Sequence, residues 1–282
     1  MNGGPGSTSM NALFTENGPL RISQPDPTDN ENFEITYTPE LSWIGAGDLI
    51  FVDMPAGTGW SYGEKTATSL TEIGEDFVTF LQNFYTEFPQ YKARELILTG
   101  ESFAGKYLSY IATSILDHND SAHRSLDKIN VRTLILSNPL VDVPTERLNQ
   151  HHLGYSLGMY DDSQSEQVET LRRHCEEAPA TDTAISTSAK CKAILNYVAG
   201  LGPLGSRNQM DARYFSYDDM PNSHPLNNLF KYSGKLKTLR KELHITKPTR
   251  FSKSNSTVAD ALGDDKTSNA TFVFTDLLKR GL

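Results

Sequence analysis

Apolar positions along the first half of the chain alternate between two rhythms. Asp48 to Asp53 is a short aliphatic run closed by Pro and Gly, the pattern of a buried strand. Phe77, Phe80, Leu81, Phe84 and Phe88 then recur at helical spacing among Glu75, Asp76, Gln82, Asn83 and Glu87. That spacing predicts an amphipathic helix ending at Pro89. Glu95 to Thr99 reads as a second strand, GESFAG as a turn, and Lys106 to Leu116 as a helix with Tyr107, Ile111 and Ile115 on one face. Val131 to Leu136 is a further strand. Strands alternating with helices imply an α/β fold with a mainly parallel sheet covered on both faces.

The rhythm changes after Pro144. Polar and charged residues dominate from Gln150 to Asp182, Gly, Pro and Asn from there to about Asn228. Residues 145–240 are expected to form a helical and irregular insertion, a cap on a single domain spanning 1–282. Phe272 to Leu278, followed by Lys279 and Arg280, suits a helix running to Gly281.

The 282 residues, 37% of them hydrophobic, suffice for one large core with an insertion. A formal charge of −9, with no dense basic cluster beyond Lys235 to Lys241, argues against a nucleic-acid partner. No window approaches the length of a membrane span, and Met1 does not open a signal peptide. The protein is therefore cytosolic, or its true N-terminus is missing. Cys175 and Cys191 are the only cysteines. They can close a loop worth about 3 kcal/mol or stand as free thiols, and spacing does not choose. Sequons at Asn119, Asn255 and Asn269 point towards an oxidising compartment.

Candidate chemistry centres on Ser102. In Gly100-Glu101-Ser102-Phe103-Ala104 the serine lies between a predicted strand and a predicted helix, with the two smallest residues at −2 and +2. A nucleophile elbow needs that arrangement, because larger flanking side chains would collide with the neighbouring strand and helix. The turn also aims the next N–H and the helix N-terminus at a developing oxyanion. A serine in this place can equally cap the helix. Asn2-Gly3-Gly4-Pro5-Gly6 is a second candidate: its glycines allow a backbone N–H to approach a substrate oxygen, or it is an ordinary Gly-Pro turn.

NGGPG, the stretch from Trp43 to Tyr62 with DMPAGTGWSY, LFTENGP and GESFAGKY together resemble the serine carboxypeptidases of the carboxypeptidase Y family. GDLIFVD, TGESFAGKY and ILDHN are similar to its pheromone-processing branch, which trims C-terminal Lys and Arg. The resemblance implies an α/β-hydrolase fold, Ser102 as nucleophile, and the N–H groups of Gly4 and Phe103 as oxyanion hole. It implies that Asn2, Glu16 and Glu101 bind the terminal carboxylate of a peptide or protein substrate. Two acids can face a carboxylate only when largely protonated, so acid pH is expected. A secretory-pathway setting (Golgi, vacuole or lysosome, or extracellular) follows from the same resemblance. Neither cofactor nor metal is expected, and the sequence is silent on oligomeric state.

Departures from the family pattern are as informative. Ser7-Thr8-Ser9 stands where the family has Cys-Ser-Ser, Phe103 where it has Tyr, and Ser137-Asn138-Pro139 where it often has Gly-Asn-Gly. The acid and histidine that complete a triad come later in this fold, and neither motif occurs here. His118, His123, His151, His152, His174, His224 and His244 are poor substitutes. The chain is thus expected to be truncated at both ends and inactive or crippled. An acyltransferase on the same scaffold and a non-catalytic binding module are the alternatives. Asp161, Asp162, Glu166 and Glu169 are the acids offered for a basic-residue pocket, or for an ordinary solvated helix face.

Overall fold

The computed structural model describes residues 1–23, 25–26, 29, 33–122, 127–149, 151–158, 160–177, 189–200, 230, 233–246 and 250–282. His123, His224 and residues 201–229 of the expected insertion lie outside them. The chain divides into two compact units. One comprises Met1–Leu140, Ser223–Lys266 and Phe272–Leu282, the other Val141–Asn222 and Thr267–Thr271.

The first unit opens with helix α1 (Met10–Thr15) and a hairpin of strands β1 (Leu20–Ser23) and β2 (Glu34–Tyr37), antiparallel with Arg21 opposite Thr36. Helix α2 (Leu70–Glu87), strand β3 (Leu96–Glu101), helix α3 (Ala104–Ser121) and strand β4 (Val131–Ser137) follow. β3 and β4 pair in parallel, Leu98 opposite Leu134 and Glu101 opposite Ser137, as the alternation of periods predicts. A parallel pair needs a crossover, and α3 supplies it.

α2 begins where Ser69 caps it by accepting the Glu72 N–H at 3.1 Å, while the Glu72 carboxylate accepts the Thr68 N–H at 2.7 Å. Its buried face is Leu70, Ile73, Phe77, Leu81 and Tyr85. Phe80 and Phe84 are only half-buried and Phe88 is exposed, so of the expected stripe only Phe77 and Leu81 face the core. Tyr107, Leu108, Ile111 and Ile115 of α3 are fully buried, matching the predicted face. Lys106 is also fully buried, its ammonium donating to the Asp265 carbonyl at 2.9 Å. The Asp265 carboxylate accepts the N–H of Leu70, joining the starts of α2 and α3 through one residue.

Two expectations fail here. Asp48 to Asp53 has no ladder partner among the described residues, and Ile50 is half-exposed. Side chains hold this segment instead: Ser9 Oγ donates to Val52 O at 2.6 Å and Ser61 Oγ to Asp53 O. Nor is the β3–β4 pair covered on both faces, since Ile97 is 50% and Ile135 39% exposed. Among the described residues no layer covers that side.

An apolar cluster gathers Met10, Phe14 and Ile22 with Phe230 and Leu239. The second unit is helical: α4 (Val143–Asn149), α5 (His151–Ser156), α6 (Asp162–Glu176) and α7 (Ala189–Gly200). The first unit resumes with α8 (Ser233–Glu242) and α9 (Ser256–Ala261), and holds α10 (Thr271–Lys279) from Phe272 onward. α10 ends as its sequence predicts: Gly281 adopts φ 86°, and Gly281 and Leu282 donate to the carbonyls of Leu278 and Leu277.

In the second unit Asp161 caps α6, its carboxylate accepting the Ser163 N–H while Gln164 reaches back to the Asp161 N–H. Cys175 and Cys191 form a disulfide that joins α6 to α7, amid Tyr160, Val168, Ile194 and Val198. The bond closes a loop between helices that otherwise share a small apolar cluster. Replacing both cysteines by alanine is expected to cost about 3 kcal/mol in urea unfolding of this unit, and a loss below about 0.5 kcal/mol would contradict the structural role.

Candidate active site

Ser102 sits between the last residue of β3 and the start of α3 with φ 61°, a region that side-chain-bearing residues rarely occupy. Three main-chain bonds hold it there. Its N–H donates to Ser137 O at 3.1 Å, and its carbonyl accepts from Gly105 at 3.0 Å and Leu140 at 2.8 Å. The loop after β4 thus clamps the turn, in place of propensity. The expected flanking constraint is visible at Gly100, where an added Cβ would come 2.6 Å from the Ala104 Cβ and 2.9 Å from a Leu108 methyl.

The glycine loop lies directly on this turn. A Cβ on Gly3 would meet the Phe103 nitrogen at 2.3 Å, so only glycine lets the two backbones approach. Tyr107 secures the loop from beneath, its hydroxyl accepting the Gly6 N–H at 3.2 Å. Burial keeps that phenol well above its ordinary pKa and therefore a neutral hydroxyl. Neither the Gly4 nor the Phe103 N–H donates a hydrogen bond within the described residues, although Phe103 is buried.

Asn2, Glu16 and Glu101 come together beside Ser102. The Glu101 N–H donates to Met1 O at 3.1 Å, which brings Asn2 alongside the end of β3. Asn2 is buried, and its Nδ2 donates to Glu16 Oε1 at 2.7 Å and to Glu101 Oε2 at 3.3 Å. Its Oδ1 accepts the Ala12 N–H at 3.0 Å, which fixes the amide's orientation. Although Glu16 as a residue is exposed, its carboxyl end is half-enclosed. That burial pushes its pKa up, the Asn2 bond opposes the rise, and the neighbouring Glu101 charge adds to it.

Asp53 has a part that sequence reasoning missed. This mostly buried carboxylate accepts Thr8 Oγ and the Ser9 N–H at 2.7 Å on one oxygen and the Trp60 N–H at 2.9 Å on the other. It ties the segment that carries Asn2 and Gly4 to the 53–60 loop. The one available signal was an acid closing an aliphatic run. Burial raises its pKa despite these three bonds.

Other candidates lie elsewhere. Among the described residues no histidine hydrogen-bonds Ser102: His118 contacts Asp127 O, His151 and His152 lie on α5, His174 on α6, and His244 is exposed past α8. Of the insertion acids, Asp161 caps α6, Asp162 accepts the Tyr155 hydroxyl and Glu169 pairs with Arg172. The Asn119 amide is engaged by both main-chain groups of Ile129. Asn255 caps α9 and donates to Gly57 O, while Asn269 accepts from Thr271. Among the described residues no cluster of His, Cys, Asp and Glu could hold a metal ion.

Against known proteins, a family model described as serine carboxypeptidase matches residues 1–282. A pheromone-processing carboxypeptidase KEX1 of Debaryomyces hansenii is 33% identical over 209 residues, 70% of this chain and 29% of its own length. That of Ogataea parapolymorpha is 34% identical over 180 residues, 63% of this chain and 27% of its own. A serine carboxypeptidase S10 family member of Dictyostelium discoideum is 28% identical and aligns with 99% of this chain, which spans 50% of it. The chain thus spans half or less of these relatives' lengths. The crystal structure of KEX1, a prohormone-processing carboxypeptidase from Saccharomyces cerevisiae, superposes with a TM-score of 0.77 at 24% identity, covering 100% of this chain and 62% of that one. The fold is that of the α/β-hydrolases.

Two outcomes follow from this geometry. Gly100→Val is expected to lose about 1–3 kcal/mol by overpacking against Ala104 and Leu108, measured by urea denaturation, and a neutral result would contradict the tight elbow. For Asp53 the folded pKa lies above the unfolded one, so its contribution to stability is complete below the ordinary carboxylate pKa and declines as pH rises through the raised value. Asp53→Asn removes that slope and places an NH2 group opposite one of the three donors. Urea midpoints across acid to neutral pH should show the largest deficit at the acid end, and a deficit growing with pH would contradict it.

Proposed function

Because the chain belongs to the serine carboxypeptidase family, we propose that it carries the nucleophile and the carboxylate clamp of an enzyme that removes C-terminal residues from peptides or proteins. Ser102 Oγ attacks the carbonyl of the last peptide bond, and the C–N bond breaks so that the C-terminal residue leaves as a free amino acid with its amine protonated. Water then hydrolyses the acyl-enzyme ester, releasing the shortened peptide and restoring the hydroxyl. The N–H groups of Gly4 and Phe103, without acceptors among the described residues, receive the oxyanion, and the Gly3 backbone next to Gly4 lies directly against Phe103. Asn2, Glu16 and Glu101 hold the terminal carboxylate.

The observation that carries this reading is the Asn2 bridge between two carboxyl groups next to a serine at φ 61°. A pair of acids placed together has little structural use, because ionised they repel. Sharing protons, they become donors to an anionic carboxylate. The raised pKa of Glu16 supports operation in acid. The disulfide supports an oxidising, secretory setting. The named relatives support the pheromone-processing branch, with its basic C-terminal residues, as the finer assignment.

Residues 1–282 by themselves leave Ser102 without a general base among the described residues. The 282-residue chain is therefore expected to turn over an N-blocked dipeptide at pH about 5 at no more than a residual rate, on the order of 10³–10⁴ over water, from the oxyanion hole and binding alone. Full activity of that chain would contradict the assignment of the missing base. In a preparation that does turn over, Ser102→Ala must abolish both hydrolysis and labelling by an organophosphonate; persistence of either would overturn Ser102 as nucleophile.

A further inference from the structure

Arg21 makes an arrangement that the carboxylate clamp does not itself explain. It lies on β1, and its guanidinium donates to four main-chain carbonyls. One terminal nitrogen bonds Gly18 O at 2.5 Å and Leu20 O at 2.8 Å, the other Glu16 O at 3.0 Å and Leu41 O at 2.7 Å. No carboxylate pairs with it among the described residues. A guanidinium used in this way acts as a template for backbone: its donors radiate from one plane at fixed angles, so each carbonyl it takes is fixed relative to the others.

What it fixes is the loop that carries Glu16. α1 ends at Thr15, and the chain reverses within the next five residues to enter β1. On the helix side this reversal is held by the N–H groups of Glu16 and Gly18, both on Ala12 O. On the opposite side the segment following β2 is sewn to it by Thr38 N–H to Pro19 O at 2.7 Å and Trp43 N–H to Asn17 O at 3.0 Å. Arg21 joins the two sides, because a single nitrogen holds both Glu16 O and Leu41 O. The Glu16 carboxyl meets Asn2 at 2.7 Å on the strength of where this loop places its Cα.

We propose that Arg21 is the positioning residue of the carboxylate clamp: by gathering the carbonyls of Glu16, Gly18, Leu20 and Leu41 it sets the Glu16 carboxyl against Asn2. The proposal rests on the carboxypeptidase reading for its consequence, namely selectivity for a free C-terminal carboxylate. Arg21 touches no substrate in this role. It acts through Glu16, and lysine cannot replace it, since one ammonium cannot reach four carbonyls in the spacing of a planar fork.

The test compares wild type, Arg21→Lys and Arg21→Ala by two readouts, with circular dichroism selecting variants that fold. The first is affinity for an N-blocked dipeptide as free acid and as C-terminal amide, at acid pH. Arg21→Lys is expected to lose about tenfold in affinity for the acid while the amide is held as before; equal losses on both, or none, overturn the proposal. The second is the titration of the Glu16 carboxyl followed by carbon NMR, which needs no activity and no peptide. With the loop released, Glu16 enters solvent and its pKa falls towards the ordinary carboxylate range, whereas an unchanged titration overturns the positioning role. A wild-type protein that treats acid and amide alike overturns the carboxypeptidase reading, and the Glu16 titration still decides what Arg21 does.

Discussion

One carboxamide organises the site. Asn2 donates to Glu16 and to Glu101 through the same nitrogen and accepts the Ala12 N–H on its oxygen. Those partners lie on three separate pieces of chain: the reversal after α1, the end of β3, and α1 itself. An amide is the one side chain that can serve here, because it offers donors to two acids and an acceptor to a backbone N–H without adding charge. A buried aspartate in its place would offer no donor to either acid and would add a charge. The acids are consequently held near one another, and burial raises the pKa of Glu16.

That amide in turn needs a rigid seat. The apolar packing of α2 on α3 fixes the elbow from behind, with Tyr107, Ile111 and Ile115 buried and Gly100 leaving no space for a side chain. Tyr107 has a double duty, since its ring meets Phe103 edge-on and its hydroxyl holds Gly6. Asp53 anchors the far end of the same loop through Thr8 and Ser9. Polar bonds of this sort are worth most where water is excluded, so the core and the site are one construction.

Much of this was legible in the sequence because it rests on local rules. The β3–turn–α3 unit follows from an aliphatic run, two small flanking residues and a 3.6-residue stripe, and the end of α10 follows from its glycine. Asp48 to Asp53 misled because its apolar composition is that of a strand while hydroxyls of Ser9 and Ser61 take its carbonyls. The stripe of α2 misled because Phe80, Phe84 and Phe88 share helical spacing with Phe77 and Leu81, while only the latter two join Leu70, Ile73 and Tyr85 in the core. Asp53 and Arg21 were illegible for a deeper reason: apart from the Thr8 hydroxyl their partners are backbone groups, N–H for Asp53 and C=O for Arg21, and backbone groups leave no letter in the chain. The disulfide was one of two open readings until the fold brought α6 and α7 together.

Everything at this site depends on whether the Asn2-bridged pair binds a carboxylate when Glu16 is protonated. Titration calorimetry of an N-blocked dipeptide with a free C-terminal carboxylate, across the range from acid to neutral pH, tests this without requiring turnover. Affinity is expected to fall as pH rises through the raised pKa of Glu16, and Asn2→Leu to remove both the affinity and its pH dependence. Affinity that is flat, or that strengthens towards neutral pH, would contradict it.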